Sequence, residues 1–225
     1  MTADLPGARR LVDLSHPVVS GMATVPGLPG PEIADHMTHA ESRERYAPGT
    51  EFHFARVTLL GNTGTYLDAP LHRYEDGTDL AGLPLASFAD LDGVVIRAEG
   101  VTEIGPELFA DRDLHGKAVL VHTGFDRTWG TDAYLSGDHP YLDAAAAALL
   151  VAEGVALLGI DSQNVDSMTG GERPAHTELL GAGIPIVEHM TGLAALPDEG
   201  FRFHAAPPAL VGVGTFTVRA YAVVG

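Results

Sequence analysis

The chain has 225 residues, 45% of them hydrophobic, enough to bury a sizeable core in one large domain or two small ones. Its 30 acidic and 13 basic residues leave a formal charge of -17, which disfavours nucleic acid and anionic membrane surfaces and suits a bound cation. There is no cysteine, so disulfides and thiolate metal sites are excluded.

Along the chain, "MTADLPGARRLVDLSHPVV" lacks the basic-then-apolar order of a secretion signal. The longest apolar stretch, 144–160, is broken by Glu153 and Gly154 and falls short of a membrane span. A cytoplasmic protein is expected. Residues 21–50 are irregular and read as an arm, a substrate lid or a long surface loop. A β-like run from Phe54 to Leu60 leads into the turn-rich segment "GNTGTYLDAPLHRYEDG". "GVVIRAEG" (93–100) and "KAVLVHTG" (117–124) are β-branched runs ended by glycine, the pattern of buried strands. "DAAAAALLVAEG" is the clearest helix, with Asp143 as cap and Gly154 as stop. "VALLGID" then predicts a strand ending at Asp161, "HTELLGAG" a short helix, "IPIVEH" a strand, and "GTFTVRAYAVV" one final strand. Strands alternating with helices, with no linker and no repeat, predict a single mixed α/β domain over 1–225.

Three places carry residues fit for chemistry. They are Asp68 and His72 on the turn-rich segment, Asp161 at a strand end, and His176, Glu178, Glu188 and His189 in "PAHTELLGAGIPIVEH". If Asp68, His176 and Glu188 converge, they form a set of one nitrogen and two carboxylates that accepts a divalent cation such as Mg²⁺ or Mn²⁺. His72 is then free to serve as general base. Each residue also has an ordinary structural use: Asp68 can close a turn before Ala-Pro, and Glu188 can be a solvated strand end.

The segment Asn62-Thr-Gly-Thr-Tyr66-Leu-Asp68-Ala-Pro70-Leu-His72 resembles the signature of the cyclase-like metal hydrolases, the family of bacterial kynurenine formamidase and isatin hydrolase. That pattern is His-x-Gly-Thr-His-x-Asp-x-Pro-x-His. "LVDLSHPVVSGMATVPGLPG", "VLVHTGFDRTW", "GVALLGIDSQNVD" and "HTELLGAGIPIVEH" extend the likeness over most of the chain. The resemblance implies a β-barrel-like core flanked by helices, of the swivelling β/β/α kind, usually in a homodimer or homotetramer. It places Asp68 where the family has a metal-bridging carboxylate, His176 and Glu188 on second-metal ligands, and His72 on the acid/base histidine.

Asn62 and Tyr66 depart from the pattern, standing where it has two first-metal imidazoles. An amide oxygen is a weak donor, and a phenol of pKa about 10 costs roughly 4 kcal/mol to ionise at neutral pH. The resemblance with these departures implies one divalent metal (Mn, Mg or Zn) on Asp68, His176 and Glu188, or a metal-free site. The first reading is a hydrolase of an amide, ester or lactone in a small organic substrate. The second is a metal-independent cyclase or dehydratase in which Tyr66, Asp68 and His72 move protons and Asn62 orients an oxyanion. The third is a non-catalytic ligand-binding protein. Arg73 can hold a substrate carboxylate or pair with Glu75 or Asp76. Phe125, Trp129 and Tyr134 can form an aromatic wall against the substrate or serve as core or dimer-interface residues, and His53 and His122 are further candidates to line the pocket. The resemblance places Val25 where the kynurenine formamidase branch has a site tryptophan, which disfavours kynurenine-type substrates.

Overall fold

A computed structural model describes residues 9–225; the first eight residues of the expected domain lie outside the described residues. The elements in chain order are β1 (Arg10–Asp13), β2 (Glu32–Met37), α1 (His39–Arg43), β3 (Phe54–Thr58), β4 (Tyr66–Asp68), β5 (Leu91–Arg97), β6 (Glu103–Ile104) and β7 (Ala118–His122). They continue with β8 (Tyr141–Leu142), α2 (Ala144–Glu153), β9 (Leu157–Ile160), α3 (Pro174–Gly181), β10 (Ile186–Glu188), β11 (Glu199–His204), β12 (Thr215–Thr217) and β13 (Tyr221–Val224).

Nine strands form one sheet in the order β1-β13-β11-β5-β7-β9-β10-β4-β12. Its centre, β5-β7-β9-β10, is parallel, and antiparallel strands extend both sides. The expected single tail strand is two strands, β12 at one edge and β13 next to the other. Only residues 218–220 join them, and three residues span little more than about 10 Å. The sheet must therefore curl until its edges approach. Leu14 N–H donates to Ala220 O at 2.9 Å and Val218 N–H donates to Thr65 O at 2.9 Å across this seam. Val218, Arg219 and Ala220 interrupt an alternation that the sequence alone shows as continuous.

Strand alternation divides the core between the two faces of the curled sheet. Leu120, Leu67, Val187, Phe201 and Phe203 pack on one face; Val119, Val121, Leu158, Ile160 and Ile186 pack on the other, with Leu150 of α2 and Leu179 of α3. The helix α2 starts where Asp143 accepts from Ala146 N–H at 2.7 Å and ends at Gly154, whose φ of 66° suits glycine. Part of the expected arm, 21–50, is a separate hairpin of β2 paired with β3, bridged by α1.

Candidate functional site

The site lies where β4 and β10 pair, on the face that carries α3. Register sets Tyr66 opposite Glu188 and Asp68 opposite Ile186, and alternation turns Tyr66 and Asp68 one way and Leu67 the other. Both β4 flanks are paired, to β10 and β12, so Asp68 is fully buried at 0% exposure. Among the described residues, neither carboxylate oxygen of Asp68 has a hydrogen-bond partner. A buried carboxylate left so is costly unless a positive charge meets it.

After Asp68 the chain enters a 3-10 turn, Pro70–His72, with proline at its start, where no N–H is needed. The turn swings His72 back so that its Nε2 stands 3.8 Å from Asp68 Oδ1. Gly214 allows this close approach, because a Cβ there would lie 2.4 Å from His72 N. The His72 side chain is 32% exposed, the most open of the group, at the mouth of the site.

His176 sits in the first turn of α3, buried. Asp166, from the loop before the helix, accepts from Ala175 N–H at 2.7 Å, His176 N–H at 3.0 Å and His176 Nδ1 at 2.6 Å. One carboxylate thus satisfies free N–H groups of the helix start and fixes the ring. A carboxylate only accepts, so Nδ1 carries the hydrogen and Nε2 faces Asp68 Oδ2 at 3.7 Å and Glu188 Oε1 at 3.8 Å. Burial pulls His176 down, but Glu188, Asp166 and Asp68 together push it up to about 10. With the proton on Nε2, His176 itself supplies the positive charge between the carboxylates; a divalent cation would take that proton's place.

Asp68, His72 and His176 each offer a ligand atom within 4.8 Å of the others. Glu188 stands beside this group but outside it. Its Oε2 accepts from Tyr66 Oη at 2.5 Å and its Oε1 from Val165 N–H at 2.6 Å. Burial raises Glu188 to about 7, with the Asp68 charge adding to the rise and His176 opposing it. Burial, then Glu188 and Asp68, raise Tyr66 well above its usual value, so it stays a phenol; Asn62 lies beside it and acts against that rise.

Phe125 and Trp129 are half-buried and belong to a run of rings that reaches the site. Trp129 stacks on His16 with centroids 3.9 Å apart, and both Trp129 and Phe125 pack on Tyr134. The Tyr134 hydroxyl meets His189 Nδ1 at 2.7 Å, and His189 lies 5.1 Å from the Tyr66 ring. Arg73 is exposed; its Nε donates to Thr177 Oγ1 at 3.3 Å, and it lines an open groove of about 600 Å³ with Arg173 and Glu172. Asn62 and Val25 line one narrow crevice.

Three further candidates serve the scaffold. Asp161 accepts from Thr123 N–H, Thr123 Oγ1 and Gly124 N–H, which leaves it no free oxygen for a ligand. His122 is held by Arg97, and His53 by Asp35 on the hairpin. Sequence reasoning missed Asp166 and His16. Asp166 lay within "GIDSQNVD", five residues past the aspartate that was singled out, and no spacing rule marks a cap supplied from ten residues upstream.

Residues 12–167 match the family described as putative cyclase. The chain belongs to this cyclase family. It is 32% identical over 166 residues to a kynurenine formamidase of Geobacillus thermodenitrificans strain NG80-2, covering 73% of this chain and 77% of that protein. Among solved structures, isatin hydrolase A from Labrenzia aggregata, bound to benzyl benzoate, superposes with a TM-score of 0.82 at 24% identity, over 97% of this chain and 95% of that one. A potential metal-dependent hydrolase with cyclase activity superposes with a TM-score of 0.77 at 23% identity, over 97% and 99%. The two structures share the curled-sheet α/β fold. Kynurenine formamidase and isatin hydrolase are hydrolytic enzymes, and this cyclase-family chain is of their hydrolase-like kind. Among the described residues, no helix is long and apolar enough to cross a membrane.

Proposed function

We propose that the protein hydrolyses an amide, ester or lactone bond in a small organic substrate, at a single divalent cation held by Asp68 and His176. The observation that carries this reading is Asp68: a fully buried carboxylate with both oxygens unpartnered, facing an imidazole nitrogen at 3.7 Å. That separation is too long for a hydrogen bond and fits two ligands of one ion. An imidazole among the donors favours Mn²⁺ or Zn²⁺ over Mg²⁺. When bound, such a cation supplies an acidified water as nucleophile.

The chain's own residues do the rest. Asp166 keeps His176 in the tautomer whose Nε2 faces the carboxylates. His72, at the mouth, takes a proton from the attacking water and returns it to the leaving group. Arg73 binds a carboxylate on the substrate from the adjacent groove, and Phe125 and Trp129 bound the site on its aromatic side. The metal-independent alternative needs the Tyr66 hydrogen for an oxyanion, and that hydrogen is committed to Glu188.

Elemental analysis of protein grown with added Mn²⁺ and Zn²⁺ tests the reading. About one equivalent of metal per chain is expected, with hydrolysis of a panel of aryl formamides and lactones lost to chelator. Asp68→Asn should lose metal and activity, because an amide oxygen is a weaker donor than a carboxylate. Metal-free wild type that turns over the panel undisturbed by chelator would end the proposal.

We also propose a homodimer or homotetramer. Its support is the β2–β3 hairpin, where all five residues of β3 are exposed and Ile33, Phe52, Phe54 and Val57 offer apolar surface to solvent. A two-stranded ribbon with both faces in water is marginal by itself.

A further inference from the structure

Resting on that reading of the site, we infer that Tyr66 is a positioning residue that holds Glu188 off the cation. Glu188 has the chemistry of a ligand and stands within 3.8 Å of the His176 nitrogen that faces the site. Even so, the group whose ligand atoms all lie within 4.8 Å of one another is Asp68, His72 and His176. What separates Glu188 from it is its pair of donors: Tyr66 Oη at 2.5 Å on one oxygen and Val165 N–H at 2.6 Å on the other.

Both donors are built into the fold. Tyr66 and Glu188 are cross-strand partners on one face of the β4–β10 ladder, so register alone keeps the hydroxyl over the carboxylate. Tyr66 is 2% exposed and Glu188 1%, so no water competes for the bond. A short hydrogen bond to a carboxylate in a dry interior is among the stronger ones. It fixes the carboxylate plane, while Val165 N–H occupies Oε1, the oxygen that faces His176 Nε2. Asp68 and His176 are then left to the cation, with open positions for water and substrate and His72 at the mouth, and affinity is lower than the residue count suggests.

Isothermal titration of the purified full-length protein with Mn²⁺ and with Zn²⁺ tests this, alongside the visible absorption of the Co²⁺ form. Tyr66→Phe frees Glu188 to turn toward the cation as an added charged ligand, so binding should tighten about tenfold, with a changed Co²⁺ spectrum. The double variant Tyr66→Phe/Glu188→Gln should return to wild-type affinity. Glu188→Gln alone should shift affinity less than about threefold, and this arm stands even if Tyr66→Phe fails to fold. A purely structural tyrosine would, on removal, leave affinity unchanged or lowered. That result overturns the inference, as does a large loss of affinity in Glu188→Gln. Wild type that binds none of the three ions refutes the metal reading above and removes the inference with it; binding by wild type with no gain in Tyr66→Phe refutes the inference alone.

Discussion

Tyr66 and Asp68 are two residues apart on one face of the same strand, and their surroundings give them opposite characters. Tyr66 donates to Glu188 and stays neutral, while Asp68, among the described residues, has no hydrogen-bond partner for its carboxylate and stands beside His176. Near them, burial lowers His189 to about 3 and His16 to about 4, the latter against the pull of Asp126. In the unfolded chain an imidazole titrates near 6.5. Below that value the unfolded state takes up protons that the native state refuses, so this contribution to stability is complete above about pH 6.5 and is lost as pH falls toward 4. Glu188 and His176, both raised, act in the opposite sense. The clean measurement is therefore a difference: in urea unfolding, His16→Gln should gain stability relative to wild type between about pH 7 and about pH 5. A difference that does not change with pH would contradict the burial of a neutral His16.

At the scale of elements, α2 was legible in the sequence because its signals are local. Asp143 caps it, six alanines favour it and Gly154 stops it, all within one short window. The start of α3 was not. Arg173 at its cap position makes no side-chain cap bond, and Asp166 supplies the acceptor from outside the helix. Asp166→Ala removes the cap and the partner of His176 Nδ1 in one change. It should cost about 2 kcal/mol in urea unfolding and weaken Mn²⁺ binding at least about tenfold. Asp166→Asn keeps an acceptor for the N–H groups and should recover most of the stability but less of the affinity. Equal affinity in all three proteins would deny Asp166 its orienting role.

For the whole molecule, the charge of -17 and the exposed hairpin make different demands. Like charge keeps copies apart at long range, and apolar surface draws them together at contact. If the proposed oligomer uses the hairpin, sedimentation at micromolar protein should show a dimer or tetramer, and Phe54→Asp with Val57→Asp should shift it to monomer with its fold intact. A wild-type monomer at those concentrations would refute the assembly.

The sequence by itself determined the class of fold, the strands β5, β7, β9 and β10, the helix α2 and, through the likeness of one glycine-rich segment, the residues worth watching. These follow from periodicity, caps and side-chain chemistry, which act over a few neighbouring positions. Tertiary structure alone decided that the tail is two strands on opposite sides of a curled sheet. It also decided that Asp166, not Asp161, serves the site, that His72 stands with Asp68 and His176, and that Tyr66 is bonded to Glu188. Those outcomes depend on which strands pair and in which register, and pairing joins residues more than a hundred positions apart through contacts that no local window contains.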